Sequence, residues 1–194
     1  MGLCGDWMEG ALDVTRLKSA VLSIIEYLLG FIALAVFVAY AYANGLPTVA
    51  RWESAFKLGA VLAALEIAIL SFRKAPMNRL ILGGNIWLLA GGLAFIFGQE
   101  SFLRVYERLG EVSVFVSILA VGIMTTAFSK NGFVGVEASR QAVITQSLWL
   151  IAAVIAALCM AVFFKGDVKL AAVLPLTALA FSNRYLRYGI LKTL

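Results

Sequence analysis

The chain has 194 residues, 62% of them hydrophobic and 14% charged, with a net charge of +5 and no histidine. A bilayer's hydrocarbon core takes about twenty apolar residues to cross, so this content amounts to about six crossings and excludes a soluble domain. The charges fall almost entirely between apolar runs, leaving short connectors and no room for an extramembrane domain.

Residues 1–19 read as a cytoplasmic interfacial helix. Leu3, Trp7, Ala11 and Val14 recur at helical spacing while Asp6, Glu9 and Asp13 face elsewhere, as in a helix lying among headgroups. A cleavable signal peptide is not expected, because the first ten residues carry two acids and no base. Myristoylation at Gly2 would require Ser or Thr at the sixth position, where Asp6 stands.

Apolar runs follow at about 20–43, 55–72, 80–98, 112–128, 143–164 and 170–186. None alternates as a barrel strand does. The expected fold is therefore all-α, a polytopic bundle of six transmembrane helices forming one integral membrane domain over 1–194. Between the third and fourth runs, Phe102, Val105, Tyr106 and Leu109 share a helical face, with Glu100 four residues before Arg104. This predicts an amphipathic segment capping the outer side. Pro175, inside the sixth run, predicts a kink that releases carbonyls near Ala171. Small residues four apart predict close helix approach in spans two, three and five: Gly59 with Ala63, Ala60 with Ala64, Ala90 with Ala94, Ala152 with Ala156, and Ala153 with Ala157.

Orientation follows from the basic residues. Six spans place Arg16, Lys18, Arg73, Lys74, Arg79, Lys130, Arg140, Arg184, Arg187 and Lys192 on one side, against Arg51, Lys57, Arg104, Arg108, Lys165 and Lys169 on the other. The richer side is expected in the cytoplasm together with both termini, in a multi-pass protein of the bacterial inner membrane. The positive charge is then a topology signal that anionic lipid suffices to balance. Expected partners are the lipid bilayer and other membrane proteins or further copies of the chain, with no nucleic acid. Cys4 and Cys159 fall on opposite sides, so no disulfide is expected.

The absence of histidine removes haem and quinone imidazoles, zinc-peptidase motifs and histidine-activated nucleophiles. No Gly-x-Gly-Asp, P-loop or paired-Cys motif occurs either. No catalytic residue, cofactor or metal site is expected, and the chain is not read as an enzyme.

The polar groups within the runs cluster by depth. Counted inward from the cytoplasmic ends at about 1.5 Å per residue, Glu26, Glu66, Asn85, Thr125 and Gln146 lie roughly 4–9 Å deep, with Asn183 and Arg184 at a similar or shallower level. Ionisable groups within a span cost about 2.5–3.5 kcal/mol each on insertion scales. Glu26 and Glu66 therefore need partners or water; Arg184 is the expected partner, with Arg73 and Arg187 available at the rim. This candidate polar layer is read first as interhelical glue; the alternative is a cavity open to the cytoplasm that binds an ion, proton or small polar molecule.

Ser71-Phe72-Arg73-Lys74, an apolar span ending in Gly91-Gly92-Leu93 and Phe97, then Phe102-Leu103-Arg104, resembles the layout of the bacterial intracellular septation protein A family. Leu148 to Tyr188 resembles that family's C-terminal pair of spans. Two segments depart from its pattern. Phe102-Leu103-Arg104-Val105-Tyr106 replaces a Phe-Ile-Lys-Trp-Lys run, and Ser129-Lys130-Asn131-Gly132 replaces a basic, proline-containing segment. The resemblance implies a non-enzymatic inner-membrane protein of envelope integrity and septation, acting through contacts with other membrane proteins. The alternative function is a small-solute or ion transporter or channel, proton-linked, with a cytoplasm-facing polar cavity.

Overall fold

A computed structural model describes residues 31–43, 45, 48–72 and 78–191. The predicted interfacial helix over 1–19, Cys4, Glu26 and the first part of the 20–43 run lie outside the described residues.

Every regular element among the described residues is helical: α1 (Ile32–Tyr42), α2 (Val49–Phe72), α3 (Arg79–Ile96), α4 (Glu100–Leu109), α5 (Val112–Phe128), α6 (Arg140–Phe163), and a π turn (Lys169–Val173) running into α7 (Leu174–Leu191). Three of them, α2, α3 and α6, are long and apolar enough to cross a membrane, and a fourth crossing arises if α4 and α5, bent by 104° where they meet, form one broken span. That is short of the six expected. Helix α5 has 17 residues, and α7 carries Asn183, Arg184 and Arg187 in its second half, which dilutes its apolar stretch.

Capping moves two boundaries. Helix α2 starts six residues before the expected Ala55, because the Thr48 hydroxyl accepts from the Arg51 N–H at 3.4 Å and its carbonyl from the Trp52 N–H at 2.9 Å. Helix α6 starts at Arg140, where the Ser139 hydroxyl accepts from the Ala142 N–H at 3.4 Å. In the described part of the first run, Phe31 lies in a turn and α1 begins at Ile32.

Residues Ala33–Leu194 form one compact unit in which sequence neighbours are spatial neighbours, α2 on α3, α3 on α5, α5 on α6 and α6 on α7. Helix α3 has close neighbours on two sides. A Cβ at Gly92 would lie 2.3 Å from the Ala60 Cβ and 2.9 Å from the Phe56 carbonyl oxygen, so only glycine lets α2 and α3 approach this closely. Of the small-residue positions, Gly59, Ala60, Ala63, Ala94 and Ala157 are buried and Ala90 and Ala153 half-buried, while Ala64, Ala152 and Ala156 face outward. The Ala152–Ala156 pair thus takes no part in closing this unit.

The predicted Pro175 kink takes the form of a π turn. The Leu174 N–H reaches back five residues to the Lys169 carbonyl, which widens the helix where the proline ring would otherwise collide with the Ala171 carbonyl. The Asp167 carboxylate caps the start, accepting from the Lys169 and Leu170 N–H groups at 2.9 and 3.2 Å.

Candidate functional site

Three helices meet at Glu66. Because α2 and α3 are consecutive and antiparallel, Glu66, six residues before the end of one, stands level with Asn85, six residues into the other. One carboxylate oxygen, Oε2, accepts from the Asn85 amide at 2.9 Å; the other, Oε1, accepts from the Ala33 N–H at 2.9 Å. Ala33 lies in the first turn of α1, whose N–H groups have no carbonyl of their own helix to reach. The carboxylate therefore caps α1 while it cross-links α2 to α3, and the positive end of the helix dipole faces its charge. Asn85 is 1% exposed and Glu66 half-buried.

The rest of the predicted layer does not join this junction. The Thr125 hydroxyl turns back on its own helix, donating to the Val121 carbonyl at 2.7 Å. Gln146 is half-buried on α6. Asn183, 2% exposed, donates to the Asn78 Oδ1 at 3.2 Å, and the same oxygen caps α3 by accepting from the Leu80 N–H at 3.1 Å. Arg184 is exposed on the next position, so the expected Glu66–Arg184 pair is replaced by neutral donors. Glu26 lies outside the described residues.

Sequence reasoning missed Ser147. The connector between α5 and α6 carries Phe133, Val134 and Val136, all buried, so its backbone turns inward and its N–H groups need acceptors away from water. The Ser147 hydroxyl supplies one, accepting from Phe133 N at 2.9 Å and Val134 N at 3.4 Å. The signal was present in the connector: an apolar loop flanked by Gly132 and Gly135 has to be buried, and the nearest inward polar side chain of α6 has to serve it. At the same end, Arg140 caps α5, donating to the carbonyls of Ser129, Thr126 and Ala127 at 2.6, 3.0 and 3.2 Å. Arg79 donates to the Ser129 hydroxyl at 3.3 Å.

The other end of the bundle is closed by aromatic rings. Phe56 lies among Phe37, Trp52, Trp87, Phe95 and Tyr106, with centroids 4.7–5.7 Å away. The predicted amphipathic segment is α4, which crosses this end with Glu100 in its first turn and Arg108 in its last. The Tyr106 hydroxyl donates to the Trp87 carbonyl at 3.0 Å, the Trp87 indole to Ser113 Oγ at 2.8 Å, and Ser113 in turn to the Gly110 carbonyl at 2.6 Å. Lys165 donates to the Arg108 carbonyl, and the Tyr42 hydroxyl to Glu111 at 3.4 Å. Burial holds the Tyr106 phenol above the ordinary tyrosine range.

No family model matches the chain, and no curated protein or solved structure matches it either.

Proposed function

We propose that the chain is a non-enzymatic, multi-pass membrane protein of the inner membrane, with six crossings and both termini cytoplasmic. It acts as an envelope or assembly component through contacts between its helices and those of partners. The observation that carries this reading is the Glu66 junction, where each carboxylate oxygen is engaged by a group of a neighbouring helix, one capping α1 and one bridging to α3. Polar groups used in this way hold helices together; a transport site would keep them for its solute. The resemblance to the septation protein A family supports the same reading, and the outward Ala152–Ala156 pair offers a surface on which a partner helix can approach closely.

Cysteine scanning in a Cys4→Ser, Cys159→Ser background tests it. Ala156→Cys, treated in native membranes with a short bifunctional thiol–photoreactive reagent, should give a discrete adduct with another membrane protein or a second copy, and Ala152→Leu should suppress it. Ala63→Cys, at a position 0% exposed and one turn from Glu66, should resist a membrane-impermeant thiol reagent in inside-out vesicles. Rapid labelling of Ala63→Cys that a small ion or solute alters, with no adduct at Ala156→Cys, would replace this reading with a transporter.

A further inference from the structure

The end of the bundle formed by the start of α3, the end of α5, the start of α6 and the end of α7 is strongly basic. Among the described residues it carries Arg79, Lys130, Arg140, Arg184 and Arg187 against Glu137. Two guanidinium groups converge there on Ser129 and differ in how they are used. Arg140 donates to three carbonyls of the α5 terminus. Arg79 has a single long bond to the neutral Ser129 hydroxyl, and its Nε is buried without a hydrogen-bond partner. Neither ion pair found among the described residues, Lys57–Glu53 or Arg104–Glu100, involves it. A guanidinium is charged at every accessible pH and presents five donors in a planar fork, so a half-buried one with a single neutral acceptor is an incomplete arrangement. What completes it is an acceptor carrying negative charge on several oxygens, which describes a phosphate.

We propose that this corner binds a phosphate group anchored by Arg79. The Ser129 hydroxyl, whose oxygen accepts from Arg79, keeps its proton for a phosphate oxygen. The first turn of α3, which begins at Arg79 itself, directs the positive end of an 18-residue helix dipole to the same place. Lys130, exposed on the next residue, adds long-range attraction. The group can reach the corner on a lipid headgroup, since the site stands at the ends of the bundle helices, or as a free phosphate.

The test uses purified full-length protein in a neutral detergent, with thermal stability followed against three probes: short-chain phosphatidylglycerol, diacylglycerol of the same chain length, and inorganic phosphate. Phosphatidylglycerol should stabilise saturably and diacylglycerol should not. Arg79→Gln should raise the half-saturating concentration about tenfold, the loss expected for a charge-assisted hydrogen bond. Arg79→Lys, which keeps the charge and loses the fork, should fall between, and Arg104→Gln at the opposite end should leave it unchanged. Stabilisation by inorganic phosphate at similar concentrations assigns a soluble ligand to the site; stabilisation by phosphatidylglycerol alone assigns a headgroup. Equal response of wild type and Arg79→Gln to phosphatidylglycerol overturns the site. Should Arg79→Gln fail to fold, native mass spectrometry of the wild type decides: it must retain one phosphatidylglycerol in preference to diacylglycerol, and equal retention is the negative result.

Discussion

From Trp87 onward, α3 is enclosed by rings: Phe37 from α1 and Phe56 from α2 at 5.0 Å, and Tyr106 from α4 at 5.6 Å. Two residues earlier, at Asn85, the neighbours are a carboxylate, a helix N-terminus and, toward Asn78, a second amide. One turn of a single helix thus separates an end held by apolar area from an end held by oriented donors and acceptors. Ring packing is individually weak and collectively large, and a ring can shift by some tenths of an ångström without losing its neighbours. Hydrogen bonds in a buried setting depend on single atoms, and a lost partner leaves a polar group unpaired. The aromatic end should therefore respond to changes of volume, and the polar end to the misplacement of one atom.

Removing volume at the aromatic end should give the largest effect. Phe56 is 1% exposed and meets five rings, so Phe56→Ala should cost about 3–5 kcal/mol. A denaturant titration in mixed micelles measures this, and a loss below about 1 kcal/mol would show that ring packing does not hold this end.

The polar end should be broken by one methyl group. Gly132 has φ +55°, and a Cβ there would sit 2.5 Å from Ser147 Oγ and 2.6 Å from Val143 Cγ1. Gly132→Ala combines left-handed strain with a collision against the acceptor that serves the buried connector, and about 2–3 kcal/mol is expected. Ser147→Ala should cost about 1–3 kcal/mol, since two N–H groups then share no acceptor. Hydrogen exchange of the Phe133 and Val134 amides should rise in both variants while the Trp87 region stays protected. A uniform rise along α3 would show that the two ends are one cooperative unit.

The smallest effect is expected from a polar bond within the aromatic end, that of the Tyr106 hydroxyl to the Trp87 carbonyl. The Tyr106 phenol is raised above its ordinary value near 10 by burial, so it stays neutral in the fold at a pH where the unfolded chain already ionises. Its contribution is complete below about pH 10 and is lost as pH rises above that toward the raised folded value. Tyr106→Phe should cost about 1 kcal/mol near neutrality and flatten the alkaline loss of stability. An unchanged alkaline limb in that variant would show that other groups control it.

Much of this arrangement could be read from the sequence. The depth count put Glu66 and Asn85 on one level because consecutive antiparallel spans share a surface from which to count, and α3 and α5 lie within two residues of their apolar runs. What the count could not supply was direction around the helix. Arg184 and Asn183 sit at one depth and are adjacent in sequence, yet one faces out and the other in, so choosing the charge over the amide chose the wrong face. Ser147 escaped because a hydroxyl costs little in an apolar run and Gln146 beside it drew attention. The beginnings of α2 and α6 depend on Thr48 and Ser139, caps outside the apolar runs, which hydropathy does not weigh. The crossing number followed from total apolar content. That quantity does not register the corner between α4 and α5 or the polar second half of α7.

The π turn before α7 holds one residue more than an α-helical turn would, and one residue is worth about 100° of rotation about the axis. It therefore sets the phase of everything after it. Leu179, Asn183 and Ile190 point inward because of that extra residue. Were Lys169–Val173 wound as a plain α-helix with every residue kept, all that follows would be turned by one residue, and the hydroxyl of Ser182 would be delivered to the place where the amide of Asn183 now meets Asn78.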